Sequence, residues 1–150
     1  MAGRWFEEFE VGQIFEHEIR RTVTESDNIT FTTATCNPAA IHLDADYCAT
    51  TEFGRPLVNS IFTLGLVIGL SVQETTLGTT VANLGMTDTV FPKPVFHGDT
   101  IHSRTTVKDV RASKSRQNAG VVTFLHQGIN QRGEEVCRCT RQALMLRKPA

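Results

Sequence analysis

The feature that most constrains this chain is a long apolar run, residues 61–72. A membrane-spanning helix needs about 20 consecutive apolar residues, so this run is too short to cross a bilayer. Gly65 and Gly69 lie four residues apart on one helical face, where small side chains let a neighbouring backbone approach closely. A helix that is apolar nearly all round is enclosed on every side. We therefore predict a central core helix from about Ser60 to Val72, capped by Asn59 or Ser60.

The residues before this helix predict one strand and two shorter helices. Partial alternation over residues 14–19 indicates a strand. Residues 24–27 resemble a capping box and start a helix of about ten residues, which runs to about Cys36. The following Asn-Pro pair ends it, because proline disfavours helical backbone in the residue before it. Residues 37–43 are then expected to be irregular, and residues 44–49 to form a short helix.

Beyond Thr79 the sequence pattern is typical of strands, at residues 81–86, 100–107, 120–127 and 135–146. Residues 130–133 read as a hairpin turn, with Gly133 where a positive φ is needed. The order of strand, helices and then an antiparallel meander predicts an α+β fold. The length suits one domain over residues 1–150.

Composition excludes several classes of function. The 15 Lys and Arg against 16 Asp and Glu leave a formal net charge of −1, so no electrostatic footprint for nucleic acid or an anionic membrane is expected. The four cysteines are expected to be reduced thiols, because a chain with an ordinary core needs no disulfides, and the pair at 137 and 139 has poor zinc spacing. The acidic, aromatic N-terminus is unlike a secretory signal and predicts a cytoplasmic protein.

Residues 36–44 are the best candidate for chemistry. They place an amide, a histidine and a carboxylate, Asn37, His42 and Asp44, on a segment broken by proline, where functional groups are often presented. Spacing alone also allows His42 to be a histidine that caps a helix or satisfies a buried carbonyl. The other four histidines are expected to be structural; they are His17, His97, His102 and His126.

Three motifs resemble the MaoC-like hydratase/dehydratase family of hot-dog folds. Residues 36–42 fall in register with its signature G-D-x-N-P-[LI]-H, residues 57–60 with a V-x-H-G element, and residues 91–100 with an F-x-x-P-V-x-x-G-D-T strand entry. Residues 58–64 and 113–120 resemble the branch that contains mesaconyl-CoA hydratases and methylmalyl-CoA dehydratases. The resemblance implies a hot-dog fold, in which an antiparallel sheet wraps around the apolar helix.

The resemblance also implies a reaction, the reversible addition of water across the double bond of a 2-enoyl-CoA thioester. In the family, the Asp and His of the signature bracket a water, and a backbone amide holds the thioester oxygen. His42 is then the proton-transfer residue, and the backbone amide of Ser60 is the oxyanion donor, helped by the helix dipole. No metal or redox cofactor is implied, and the CoA thioester is the substrate.

This chain departs from the signature at its acid position, which holds Asn37. An amide can orient a water but cannot exchange a proton at ordinary pH. Three outcomes stay open: His42 alone cycles the proton while Asn37 positions water, Asp44 or another carboxylate substitutes, or the site binds acyl-CoA without turnover. A hot-dog thioesterase, which uses a carboxylate to activate water, is an alternative enzyme.

Other residues are candidates for substrate binding. A second carboxylate on a C4-branched substrate needs a cation, for which Arg55 is our candidate; a solvated loop arginine is the alternative. Lys93, Lys114 and Arg116 are candidates for the CoA phosphates, and Asn59 for a contact at the start of the central helix. Family members of this size form dimers whose sheets join, so we expect a homodimer or higher homo-oligomer with acyl-CoA along the interface.

Overall fold

The computed structural model describes residues 3–149, in which five strands form one sheet and four α-helices lie between the first strand and the second. Residues 1, 2 and 150 of the predicted domain lie outside that range. The elements are β1 (Ile14–Thr22), α1 (Glu25–Ala34), α2 (Ala40–Leu43), α3 (Ala45–Ala49), α4 (Ser60–Thr75), β2 (Thr80–Val90), β3 (Thr100–Ala112), β4 (Ala119–Ile129) and β5 (Glu135–Leu146).

The sheet is antiparallel, with the strand order β1-β3-β4-β5-β2. The α+β class is confirmed, and β5 has the predicted bounds. The predicted meander is correct for β3, β4 and β5, and Gly133 turns between the last two with a φ of 79°. It is wrong for β2, which pairs with β5 instead of β3. As a result, β1 and β2 are the two edges of the sheet.

The central helix α4 packs against β1, β3, β4 and β5. Val67 and Leu70 lie in a buried cluster with Ile101 and Val136 of the sheet. Gly128 of β4 lies directly under Val67, and a Cβ at that position would collide with the Val67 Cγ2 methyl group. The close approach of helix and sheet therefore depends on a glycine of the sheet.

The prediction that α4 is enclosed on every side is wrong for a single chain. Ile61 is 57% exposed, and Gly65 and Gly69 face open space. The sheet curves around one side of the helix only, so the opposite face, which carries the glycines, has nothing from the described part of this chain against it. We call this uncovered surface (Ile61, Gly65 and Gly69) the glycine face.

The predicted capping box is confirmed at the start of α1. Thr24 Oγ1 accepts a hydrogen bond from the Asp27 N–H (3.1 Å), and Asp27 Oδ2 accepts one from the Thr24 N–H (2.8 Å). Arg21, hydrogen-bonded to Asp27, lowers the pKa of that carboxyl far below its ordinary value. The carboxylate therefore stays ionised and fixes the entry into α1.

The segment after α1 is more regular than predicted. Cys36 has a φ of 55°, which turns the chain out of the helix two residues beyond its end at Ala34. Residues 37–43 were expected to be irregular, and this is wrong for Ala40–Leu43, which form one helical turn. Proline blocks a helix that precedes it, but a new helix can start just beyond it. The predicted short helix that follows is confirmed as α3.

Three of the four thiols are buried, and all four are free; Cys36 is the exposed one. Burial raises the pKa of the Cys137 thiol to about 12, so it is not a thiolate at neutral pH. Among residues 3–149 no helix has both the length and the apolar character needed to cross a membrane.

Candidate active site

A cavity of about 280 Å³ opens beside the N-terminus of α4. Its polar lining consists of His42, Ser60, Thr63 and Lys93. Apolar side chains form most of the remaining wall: Phe53, Leu57, Val58, Phe91, Val95 and Val136. Of the described residues, no carboxylate lines this cavity, so His42 is the lining side chain best suited to take and return a proton.

The imidazole of His42 is held in one orientation by the backbone. Its Nδ1 lies 2.9 Å from the carbonyl oxygen of Leu57. Because a carbonyl only accepts hydrogen bonds, Nδ1 carries the hydrogen, and the neutral ring presents a lone pair on Nε2. Nε2 has no hydrogen-bond partner within residues 3–149, and the half-buried ring lines the cavity. His42 therefore offers an oriented base to a bound molecule.

The first turn of α4 lies at the same cavity, which Ser60 lines. Ser60 is the first helical residue, and its backbone N–H has no partner within the helix. Asn59 caps the helix through Oδ1, which accepts from the Ile61 N–H (3.0 Å), and its Nδ2 donates to Thr32 Oγ1 (3.3 Å). Both ends of the Asn59 amide are thus occupied, and this side chain lies behind the cavity wall.

Asn37 and Asp44 do not line the cavity in a single chain. Asn37 Oδ1 accepts a hydrogen bond from the Ala39 N–H (3.0 Å), which closes a local turn. Asp44 is exposed, and its Oδ1 accepts from the Tyr47 N–H (2.9 Å) as the N-cap of α3. Each of these polar groups therefore has a local structural role beside the one that the sequence suggested.

The four predicted cations occupy different places. Lys93 lines the cavity, while Arg55 is exposed with its guanidinium 3.9 Å from the centre of the Phe96 ring. Lys114 and Arg116 lie in the connection after β3, at the end of that strand away from the cavity. A strand of 13 residues spans about 40 Å, so these two residues are remote from the cavity of their own chain.

Asp99 explains the Gly-Asp-Thr part of the third motif. Its Oδ2 accepts from the Phe96 N–H (2.9 Å), and its Oδ1 from Gln131 Nε2 (2.8 Å) and Arg132 Nη1 (3.0 Å). Burial acts to raise the pKa of Asp99, but these donors outweigh it and the pKa is lowered. The ionised carboxylate therefore anchors the chain segment that carries Lys93 and Val95 into the cavity wall.

Sequence reasoning missed Asn28, which is fully buried in α1 directly behind His42. Its side chain contacts the backbone of His42, Leu57 and Asn59. The available signal was the polar inner face of α1, where Asn28 and Thr32, one turn apart, are the buried residues. An apolar residue is usual at such positions, so a buried amide there indicates a specific set of partners.

Among the described residues, no group of three or more His, Cys, Asp or Glu side chains is placed to hold a metal ion.

Comparisons with known proteins identify the family of this chain. A family model for the MaoC like domain matches residues 7–128. The chain is 31% identical over 147 residues to a mesaconyl-CoA hydratase of Cereibacter sphaeroides, and 30% identical over 146 residues to a beta-methylmalyl-CoA dehydratase of Chloroflexus aurantiacus. These matches cover 98% and 97% of this chain but only 42% and 41% of the relatives. The chain thus spans about two fifths of their length.

A crystal structure of a MaoC-like dehydratase from Rhodospirillum rubrum superposes with a TM-score of 0.86 at 29% identity. The superposition covers 99% of this chain and 100% of that chain. The sheet wrapped on one long helix is a hot-dog fold, as predicted. The chain belongs to the MaoC-like domain family.

Proposed function

We propose that this chain is an acyl-CoA hydratase/dehydratase that adds or removes water across the 2,3 bond of an enoyl thioester. The observation that carries this proposal is that His42, held through Nδ1, and Ser60, the first residue of α4, line one mostly apolar cavity. A base and a backbone donor on one cavity are the groups that water addition to a thioester needs. The names of the two curated relatives support the same class of reaction.

In the hydration direction, His42 Nε2 takes a proton from water as the water oxygen bonds to C3. The electron pair of the double bond moves toward the thioester carbonyl, and the negative charge on that oxygen is held by the Ser60 N–H. The protonated His42 then delivers the same proton to C2 as the enolate collapses. Dehydration follows these steps in reverse, and His42 ends each cycle neutral.

A single histidine is proposed to carry both proton transfers because no carboxylate lines the cavity among the described residues. Asn37 is an amide, and its Oδ1 is engaged with the Ala39 N–H. The same observation favours one alternative function, a protein that binds acyl-CoA without turnover. A thioesterase is a weaker candidate, because the carboxylate that would activate water is not among the lining residues.

The test is mass-spectrometric product analysis with mesaconyl-CoA, methylmalyl-CoA, crotonyl-CoA and 3-hydroxybutyryl-CoA. A gain or loss of one water with the thioester intact supports the proposal. Release of free CoA would identify a thioesterase instead. Binding of all four thioesters without any change in mass would contradict catalysis and leave the binding protein.

We propose that the preferred substrate is a C4-branched dicarboxylyl thioester such as mesaconyl-CoA, as the names of the relatives suggest. Its second carboxylate needs a cation, and there are two candidates. Lys93 lies in the cavity wall, and the Arg55 guanidinium lies over the Phe96 ring. Replacing the responsible cation by alanine should impair turnover of mesaconyl-CoA far more than that of crotonyl-CoA. Equal losses on both substrates, for both Arg55→Ala and Lys93→Ala, would remove this proposal.

We propose that the functional unit is a homodimer, joined at the β2 edge. The β1 edge carries four charges, Glu16, Glu18, Arg20 and Arg21, whereas β2 carries Asp88 alone. Charges on an edge strand resist pairing with another chain, and an uncharged edge invites it. On β2, Leu84 and Met86 are 50% and 40% exposed.

A second copy would also provide cover for the glycine face of α4. Because Lys114 and Arg116 are remote from their own cavity, any contact they make with CoA is proposed to be with CoA bound at the partner's cavity. Leu84→Lys should dissociate the dimer in analytical ultracentrifugation, while Ile14→Lys on the β1 edge should leave it intact. A monomeric wild-type protein, or equal effects of both variants, would contradict the β2 interface. A cytoplasmic location stays a prediction from the sequence.

A further inference from the structure

Asn28 joins the two functional groups of the cavity from behind. Its Nδ2 lies 2.8 Å from the Leu57 carbonyl oxygen, 3.0 Å from His97 Nε2 and 3.3 Å from the His42 carbonyl oxygen. Its Oδ1 accepts a hydrogen bond from the Asn59 N–H (2.9 Å). The side chain is 0% exposed, so these partners replace water completely.

The orientation of the Asn28 amide follows from its neighbours. Backbone carbonyls only accept, so the amide nitrogen must face those of Leu57 and His42, and the oxygen must face the Asn59 N–H. The carbonyl oxygen of Leu57 has two lone pairs: one accepts from Asn28 Nδ2 and the other from His42 Nδ1. Asn28 therefore holds the group on which the His42 imidazole is anchored.

The same amide reaches the start of α4. Asn59 immediately precedes Ser60, whose N–H is the proposed oxyanion donor, and the Asn59 N–H is bound to Asn28 Oδ1. The Asn28 carboxamide thus connects the Leu57 carbonyl, which anchors His42, with the backbone just before Ser60. Catalytic geometry depends on such spacing, because a displacement of about 1 Å can cost about 100-fold in rate.

We propose that Asn28 is the positioning residue that fixes the His42 imidazole and the N-terminus of α4 relative to each other. This inference rests on the proposed function of that pair. Asn28 lies behind the base and the donor and makes no contact with the reacting atoms, so it acts through them. Neither the sequence motifs nor the names of the relatives assign it a role.

The test uses Asn28→Asp, which keeps the size of the side chain but removes both N–H donors in its ionised form. We expect kcat for water addition to fall about 10- to 100-fold while KM stays within about threefold, because the base and donor are misplaced after binding. Thr75→Val is the control, since it removes a buried hydroxyl at the far end of α4. It should lower the melting temperature without changing kcat.

Side-chain ¹⁵N NMR of the histidines provides a measurement that needs no substrate. Wild-type His42 should show a single neutral tautomer with hydrogen on Nδ1, and Asn28→Asp should show a mixture of both tautomers. A wild-type His42 with hydrogen on Nε2 would overturn the inference even if the variant fails to fold. So would a variant that keeps both the single tautomer and full kcat. If no thioester is turned over, the proposed function fails, but the tautomer measurement still decides the role of Asn28.

Discussion

His42 and His126 are both held through Nδ1 but differ in the surroundings of Nε2. Each ring has Nδ1 held by one oxygen: the Leu57 carbonyl for His42, and Thr105 Oγ1 (2.9 Å) for His126. His42 is half-buried and lines the cavity, and its Nε2 has no partner among the described residues, whereas His126 is fully buried in the sheet. Its Nε2 has no partner in the described part of the chain. A histidine that transfers protons needs Nδ1 held by the protein and Nε2 accessible to a bound molecule.

The surroundings of His126 keep it uncharged. Burial comes first, and the nearby positive charge of Arg141 adds to it, so the pKa of His126 is lowered to about 3. Thr105 Oγ1 continues the row to His17 Nε2 (2.8 Å), and His17 Nδ1 bonds Glu74 of α4. This row ties α4 to three strands, which is a structural role. The two histidines therefore make opposite predictions about rate and stability.

The largest expected effect is on turnover by the cavity histidine. His42→Gln should lower kcat about 10²- to 10⁴-fold, because a glutamine cannot exchange the proton. His126→Gln should leave kcat within about threefold at pH 7.5 and should lower the melting temperature instead. Steady-state kinetics and thermal unfolding of both variants check this. If His126→Gln lost the greater part of the activity, the assignment of roles would be reversed.

The next effect tests the donor at the start of α4. Ser60→Pro removes the backbone N–H yet suits the first position of a helix, and Asn59 already has the extended ψ of 124° that a following proline requires. We expect kcat to fall about 10²- to 10³-fold with little change in stability. Ser60→Ala, which keeps the N–H, should retain activity. Full activity in Ser60→Pro would show that this amide holds no developing charge.

A smaller effect concerns stability against pH. The unfolded chain binds a proton at His126 below about pH 6.5, but the folded chain binds it only near pH 3. The stabilisation that comes from this residue should therefore be fully present above pH 6.5 and should be lost as the pH drops toward 3. The free energy of unfolding should fall by at most about 1.4 kcal/mol per pH unit because of it. Urea unfolding at several pH values measures the slope.

In His126→Gln this contribution should disappear from the slope, whereas Thr105→Val should lower stability at every pH and keep the slope. A slope that survives unchanged in His126→Gln would assign the pH dependence to other groups.

The sequence predicted those parts of the fold that depend on neighbouring residues. The capping box of α1, the start of α4 at Ser60 and the turn at Gly133 each arise from side chains a few positions apart. The pairing of β2 with β5 was not predictable in this way, because it joins segments far apart in the chain. The uncovered glycine face was missed for the same reason: apolar character does not say which surface supplies the cover.

The same distinction between neighbouring and distant residues applies to the candidate site. His42 and Ser60 stand in recognisable motifs, and the structure brings both to one cavity. Asn28 has no motif, because the partners that link it to the site lie 14, 29, 31 and 69 residues further along the chain, and only Thr32 is close in sequence. A single buried amide with four distant partners leaves no local pattern. Lys114 and Arg116 are candidates because they are basic residues in a polar loop, and neither property carries information about distance from the cavity.

The smallest expected effect separates the two possible roles of Asp44. As the N-cap of α3 it accepts from the Tyr47 N–H, and asparagine fills that position equally well. Asp44→Asn should therefore keep both stability and kcat, while Asp44→Ala should cost about 1 kcal/mol of unfolding free energy and still keep kcat. The pH profile gives an independent check: with His42 as the only base, wild-type activity should lack an acidic limb near about pH 4, the ordinary carboxyl range. Loss of turnover in Asp44→Asn together with such a limb would place a carboxylate in the reaction, and His42 would then share the proton with an acid that a single chain keeps outside the cavity.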